Sequence, residues 1–242
     1  MQKRKGELLY EGKAKKMFSV EGRPDEVWVE YKDSLTAFNA QKTGSFAGKG
    51  AINAQITTLL YKKLSEAGIS THMVEPINEH EMICSKLSII PLEVVTRNRL
   101  AGSTAKKLGK LEGTSIAAPL VEFYYKDDTL GDPFISDDQA LLMGAVEDAR
   151  DLQILKEKAL AVNKVLKGIF EKAGLELIDF KLEFGRSPKG EIVLADEVSP
   201  DTCRLWDFKT GEKYDKDRFR RDLGRVEESY QEVLERLKES VK

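Results

Sequence analysis

The apolar positions of this chain change their period near residue 136, from short strand-like runs to long helical stripes. In the first part the apolar runs are short. Residues 8–10, 16–20 and 27–31 are β-prone stretches separated by Gly12, Gly22 and Pro24, which is the pattern of antiparallel strands. One segment breaks the pattern. Ile52, Ile56, Leu59, Leu60 and Leu64 recur at helical spacing and predict a helix over 48–67, with Gly68 as its stop. Strands are predicted again over 72–76, 81–87, 92–97 and 120–125, with a small helix near 104–108. From Ser136 the pattern turns helical: Ser136 and Gln139 have capping-box spacing, and Leu152, Leu155, Ala159, Val162, Leu166 and Phe170 form one stripe ending at Gly174. Phe219, Leu223, Val226, Tyr230, Val233 and Leu237 mark a terminal helix. These stripes read as core or as interface. With no repeat, low-complexity tract or clear linker, the expected fold is α+β. A strand-rich N-terminal lobe (1–88) and a mixed α/β C-terminal lobe (89–242) would face each other across a cleft.

The most informative stretch lies between the two long helices. In LIDFKLEFG, Asp179, Lys181 and Glu183 alternate with Ile178, Phe180, Leu182 and Phe184, so a strand would show three charges on one face and four apolar groups on the other. EIVLADEVS is apolar through Ala195 and ends in Asp196-Glu197. If the two pair through the Arg186–Gly190 turn, Glu183 and Asp196 can lie side by side. Adjacent carboxylates repel unless a cation joins them, and a hard divalent ion suits them. Lys181 beside them offers a counter-charge for a phosphate or carboxylate. An ordinary sheet with one wet face has the same alternation. What favours a site is the polar loop that follows, SPDTCRLWD, because loops on rigid strands are where sites are assembled.

Composition narrows the chemistry. A formal net charge of −2 leaves no basic field for nucleic acid, and no apolar run approaches the roughly 20 residues that span a bilayer. The N-terminal residues lack the pattern of a secretory signal. Cys84 and Cys203 have no CxxC spacing and read as free thiols in a reducing cytoplasm. His72 and His80 are the only histidines, so chemistry is expected to run on carboxylates, lysines, arginines and metal.

Two further segments suit phosphates. The turn Glu11-Gly12-Lys13-Ala14-Lys15-Lys16 joins two strands with a glycine and three lysines, a combination that fits a polyphosphate and also fits a solvated turn. Neither a Walker A loop nor a GxGxxG fingerprint is present, so ATP would bind in a strand-turn-strand manner. In PLEVVTRNRLAGS, Glu93, Val95 and Arg97 share a strand face and Gly102-Ser103 opens a helix. An arginine beside such a helix start can receive a phosphate monoester, or be only a surface residue beside a cap.

Taken together, LYEGKAKKMF, TAFNAQKTGSFAGKG, PLEVVTRNRLAGS, YYKDD, LIDFKLEFG and ADEVSPDTCRLWD resemble the phosphoribosylaminoimidazole-succinocarboxamide synthase (SAICAR synthetase) family over nearly the whole chain. The resemblance implies a two-lobed α+β fold related to ATP-grasp enzymes. It implies a ligase that joins L-aspartate to the carboxylate of carboxyaminoimidazole ribonucleotide in purine biosynthesis, turning ATP into ADP and phosphate with Mg2+. On this likeness Lys13, Ala14 and Lys15 lie over the ATP phosphates, and Ser85, Lys86 and Leu87 flank the adenine. Glu183 and Asp196 hold the metal. Glu93, Arg97, Ser103, Asp179, Lys181 and Arg204 line the ribonucleotide pocket, and Lys126 reaches the phosphate-transfer region. Catalytic roles fall to Lys15, Lys126, Asp179 and Lys181, with Asp179 as a candidate base. Asn39 stands where some members carry aspartate, which leaves the role of its loop open. The expected partners are small molecules, and the expected assembly is a homodimer. A small-molecule kinase would instead need no amino acid, and a nucleotide sensor would need no carboxylate pair.

Overall fold

The structure, a computed structural model, describes residues 3–38 and 40–241. The question of Asn39 lies outside the described residues. The chain opens with β1 (Lys5–Glu11), β2 (Lys15–Val20) and β3 (Glu26–Tyr31), followed by the small hairpin β4 (Ser34–Ala37) and β5 (Lys42–Ser45). Helix α1 (Lys49–Glu66) leads to β6 (Met73–Pro76) and β7 (Glu81–Ser85). Then come β8 (Ser88–Leu100), α2 (Gly102–Lys107), β9 (Thr114–Tyr125), β10 (Phe134–Ile135) and α3 (Asp137–Leu142). The long helix α4 (Ala149–Lys172) precedes β11 (Leu175–Arg186), β12 (Ile192–Ala195) and β13 (Cys203–Asp207), and the chain ends with α5 (Asp217–Arg220) and α6 (Val226–Ser240).

Two antiparallel sheets organise these elements. One has the order β1-β2-β3-β7-β6; the other has β10-β9-β8-β11-β12, with β13 also paired to β11. The apolar face of the second sheet, with Leu92, Val94, Phe123, Leu182, Phe184 and Leu205, is covered by the stripes of α4, α1 and α6. Fully burying each such side chain contributes roughly 1.5–3 kcal/mol, so this layer is what holds the strands in register. Helix α1 lies before residue 88 in the chain, yet most of its apolar face packs in the core of the second sheet. Ala54 alone joins the cluster under the first sheet.

The structure corrects five expectations. The terminal stripe is two helices, because Asp222 and Arg225 adopt left-handed backbone conformations that end α5 and start α6. Tyr230, Val233, Leu234 and Leu237 are buried within the chain, so α6 offers no apolar stripe to a partner. Residues 136–172 also hold two helices: the capping box of Ser136 and Gln139 starts α3, while Asp148 caps α4 separately. Finally, Ile178 does not share the core face. Leu177 pairs with Leu205 and Asp179 with Arg204, so β11 carries a bulge at Ile178 that puts Leu175 and Leu177 on the face of Phe180 and Leu182. The tail of the polar loop is likewise a strand, β13, with Cys203 and Leu205 pointing into the core.

Candidate active site

With one face of the second sheet sealed by helices, its opposite face carries the charges. Glu93, Val95 and Arg97 of β8 lie beside Glu183, Lys181 and Asp179 of β11 in register, and Arg204 of β13 follows Asp179. A cavity of about 320 Å³ opens over them, and Lys13 from the turn before β2 reaches its rim. Glu93, Arg97, Asp179, Lys181 and Arg204 all line it.

At one end the charges are tightly paired. Arg97 is buried and all three of its guanidinium nitrogens are engaged: Nε with Glu122 at 2.6 Å, Nη1 with Asp179 at 2.7 Å and Nη2 with the Tyr124 hydroxyl at 3.1 Å. Arg204 also donates to Asp179, at 2.9 Å, and to Asp217 at 3.0 Å. Its guanidinium lies directly under Gly102, at the start of α2. A Cβ there would sit 2.5 Å from the nearer Nη, and the backbone has φ +56°, so glycine is favoured and a side chain would displace the Arg204 guanidinium. Ser103 is exposed on the first turn of α2 and does not line the cavity.

At the other end stand the carboxylates singled out for metal. Glu183 pairs with Ala195, so Asp196 follows immediately beyond that pair. Lys126 and Lys181 both reach Glu183, and Lys181 also lies 2.8 Å from Glu93. Lys15 crosses from the first sheet to lie 2.5 Å from Asp196 Oδ1 and 3.2 Å from Glu197, with its ammonium 4.9 Å from the centre of the Tyr31 ring. Burial opposes the Lys15 charge, but Asp196 and Glu197 outweigh it and hold its pKa well above the ordinary lysine value. Burial works equally against Asp196, where Lys15 and Lys181 prevail and hold the carboxyl well below its usual range. Burial raises the pKa of Glu197, aided by Asp196 and Asp201, and its Oε2 has no hydrogen-bond partner among the described residues.

The backbone fixes this end from both sheets. Asp196 has φ 59°, and its carbonyl lies 3.2 Å from His72 Nε2, which must carry the hydrogen to make that bond. The His72 amide donates to the Leu194 carbonyl at 2.8 Å, and its own carbonyl accepts from Ser85 at 2.7 Å. His72 therefore ties β7 of the first sheet to β12 of the second. Ser85 ends β7, and Lys86 and Leu87 make the crossing to β8. Leu87 lies against Gly185, where a Cβ would come within 2.7 Å of it. At the glycine-lysine turn, the Gly12 amide closes on the Lys15 carbonyl at 2.8 Å, while the Lys13 and Ala14 amides donate to no acceptor among the described residues. Lys13 itself is 2.6 Å from Asp128.

The donors present suit a hard cation such as Mg2+. Glu183 and Asp196 are carboxylates paired with lysine ammoniums, and Glu197 adds an orphaned carboxylate oxygen next to Asp196. Among the described residues no group of three or more acidic, histidine or cysteine side chains forms a complete cage. An ion bound there would need substrate phosphates to complete its coordination.

Several site residues were not foreseen. Glu197 adjoins a residue that was, but its burial beside Lys15 follows from the sheet-to-sheet contact. Asp201, Lys216 and Arg220 line the cavity from the loop before β13 and from α5. The dense charges of KYDKDRFRR were the available signal, obscured by reading a helical stripe from Phe219 onward.

Comparison with known proteins agrees with this geometry. The SAICAR synthetase family profile matches residues 8–237. The phosphoribosylaminoimidazole-succinocarboxamide synthase of Wolinella succinogenes is 53% identical over 233 residues, covering 96% of this chain and 98% of that protein. The crystal structure of the enzyme of that name from Ehrlichia chaffeensis superimposes with a TM-score of 0.92 at 42% identity, covering 96% of this chain and 98% of that one. A SAICAR synthetase in complex with ADP superimposes with a TM-score of 0.90 at 46% identity, covering 94% and 96%.

Proposed function

This chain belongs to the SAICAR synthetase family, and from that premise we propose how its cleft divides the work of the reaction. The enzyme is an ATP-dependent ligase: it joins L-aspartate to the carboxylate of carboxyaminoimidazole ribonucleotide, releasing ADP and phosphate. A carboxylate is a poor electrophile, so it is first phosphorylated by ATP. The aspartate amine then attacks the acyl carbon, the C–N bond forms, and phosphate leaves with the electrons of the broken C–O bond.

The observation that carries the assignment of roles is the reach of Lys15 from the first sheet to Asp196 of the second. In this reading residues 1–88 form the nucleotide side and 89–242 the substrate side, with α1 packed into the latter. Lys13 and Lys15, with the Lys13 and Ala14 amides that have no acceptor among the described residues, receive the ATP phosphates. Ser85, Lys86 and Leu87, at the crossing between the sheets, flank the base. Arg204 and the start of α2 receive the ribonucleotide phosphate, and Ser103, which lies outside the cavity lining, is given no part in it. Arg97, already paired, holds Asp179 and Tyr124 in place at that end. Glu93 and Lys181 border the acceptor carboxylate, and Lys126 and Lys15 neutralise charge on the transferring group. Asp179 is bound by two arginines, which suits an orienting role better than that of a base.

Glu183 and Asp196 would hold Mg2+, which when bound screens phosphate charge and aligns the phosphoryl group for transfer. Among the described residues no helix is long and apolar enough to cross a membrane, and both cysteines are free and buried; we assign the enzyme to the cytoplasm. The assembly we assign is a homodimer, whose contact must use surface other than the apolar face of α6, and sedimentation equilibrium decides it. The test of function is ADP release with the ribonucleotide, with and without aspartate. Aspartate-dependent turnover is expected; a phosphorylated product that accumulates without any amino acid would replace the ligase with a kinase.

A further inference from the structure

The charges of the cavity can be followed residue by residue along its wall. Arg97 is bonded to Asp179, Asp179 to Arg204, Arg204 to Asp217, and Asp217 Oδ1 to Arg220 at 2.7 Å. Lys216 comes next. Among the described residues its ammonium makes no hydrogen bond or ion pair, whereas the other cations lining the cavity each have a carboxylate partner. The acid that faces it, Asp201, is already engaged: Oδ2 lies 2.6 Å from the buried Lys49, and Oδ1 accepts from the Tyr230 hydroxyl at 2.7 Å. Burial disfavours the Lys216 charge, and Arg220 and Lys49 repel it against the pull of Asp201 and Glu197, so its pKa falls below the ordinary lysine value. A half-buried cation without a partner is stabilised by an anion brought into the cavity.

Position says which anion. The groups whose fields Lys216 feels include Glu197, and Glu197 is 3.2 Å from Lys15 at the phosphoryl-transfer end. Arg220 is one carboxylate removed from Arg204, at the ribonucleotide phosphate end. Both line the same cavity as Glu93 and Lys181, which border the acceptor carboxylate, so a nucleophile they held would share that cavity with the activated carbon. We propose that Lys216 and Arg220 form the amino-acid subsite, binding a carboxylate of the dicarboxylic substrate and directing its amine to the acyl carbon. This rests on the ligase reading above and adds to it the residues that select the second substrate.

Steady-state kinetics on the purified full chain test it. In Lys216→Met the KM for aspartate is expected to rise at least about tenfold, with those for ATP and the ribonucleotide within about threefold of wild type. Lys216→Arg, which keeps the charge, is expected to recover part of the loss. A second readout replaces aspartate with hydroxylamine. Its nitrogen attacks the acyl phosphate, a C–N bond forms, the C–O bond to phosphate breaks, and the nitrogen's proton passes to water. Because hydroxylamine has no carboxylate, Lys216→Met should lower this reaction far less than the aspartate reaction, which also shows that the variant is folded. An unchanged aspartate KM, or equal loss with both nucleophiles, overturns the subsite. Absence of aspartate-dependent ADP release in the wild type would instead overturn the ligase reading itself.

Discussion

Lys15 Nζ lies 2.5 Å from Asp196 Oδ1, and through this contact a strand of the first sheet reaches a carboxylate of the second. Alternation along β2 decides which lysine makes it. Lys15 and Met17 face the cluster that holds Val29 and Tyr31, whereas Lys16 turns the other way, 3.8 Å from Glu30. Two adjacent lysines of the same turn therefore have different neighbours and are expected to have different functions.

Lys15→Met is expected to lower turnover about a hundredfold, on the order of 3 kcal/mol of transition-state stabilisation, while Lys16→Met stays within about threefold of wild type. Parallel assays at saturating ribonucleotide measure both. Equal, small effects would reduce the lysine run to a solvated turn and move the nucleotide site elsewhere.

Asp196→Asn tests the carboxylate without disturbing the fold. Asparagine tolerates the left-handed backbone of φ 59° and leaves the His72 bond to the carbonyl intact, so the fold should be retained, while loss of the buried partner of Lys15 should lower the thermal midpoint. Turnover is expected to fall about a hundredfold at ordinary magnesium concentration. Near-native turnover in a magnesium titration would sink the assignment of Asp196 to the metal.

Much of this was legible in the chain because charge and apolarity alternate strictly where a sheet has one sealed and one open face. Asp179, Lys181 and Glu183 could be assigned to one surface from β11 alone. The alternation failed at Ile178, since a bulge costs one residue of phase and depends on how β13 pairs. Lys216 and Arg220 were hidden for a different reason. Their place in the cavity depends on α5 stopping at residue 220; the left-handed Asp222 and Arg225 give no sign of a break, and Gly224 between them, also at positive φ, was the signal that the apolar stripe from Phe219 to Leu237 obscured. Lys49 reads as an ordinary helix-start lysine; only tertiary packing makes it a buried partner of Asp201.

Arg97→Lys is expected to act on stability and on substrate binding together. Lysine cannot serve Glu122, Asp179 and Tyr124 at once, and weakening a buried charge network in this way costs on the order of 2 kcal/mol. The thermal midpoint should drop, and the ribonucleotide KM should rise while that of ATP is nearly constant. A rise confined to the ATP KM would mean that this end of the cavity has been given to the wrong substrate.

The last prediction concerns pH. Glu112, in the loop after α2, is clamped by Arg221 at 2.5 and 2.8 Å and also accepts from the Gly102 amide at 3.3 Å, which ties the start of α2 to the segment after α5. The Arg221 hydrogen bonds, with burial opposing and the Gly102 amide assisting, lower its pKa to about 2 from an ordinary 4.5. A carboxyl depressed on folding binds fewer protons in the native than in the unfolded state between those values. Its stabilisation is therefore present above pH 4.5 and is lost as pH falls toward about 2. Both side chains are about one-third exposed, so the clamp contributes only about 1 kcal/mol, or roughly 2–4 °C in thermal midpoint for a chain of this size. Glu112→Gln, which keeps the shape and removes the charge, should show that deficit at pH 7 and progressively less of it below pH 4. A deficit that stays constant from pH 7 to pH 3 would mean that the loop is held by packing, and that the charge of Glu112 has no part in fixing Gly102 over Arg204.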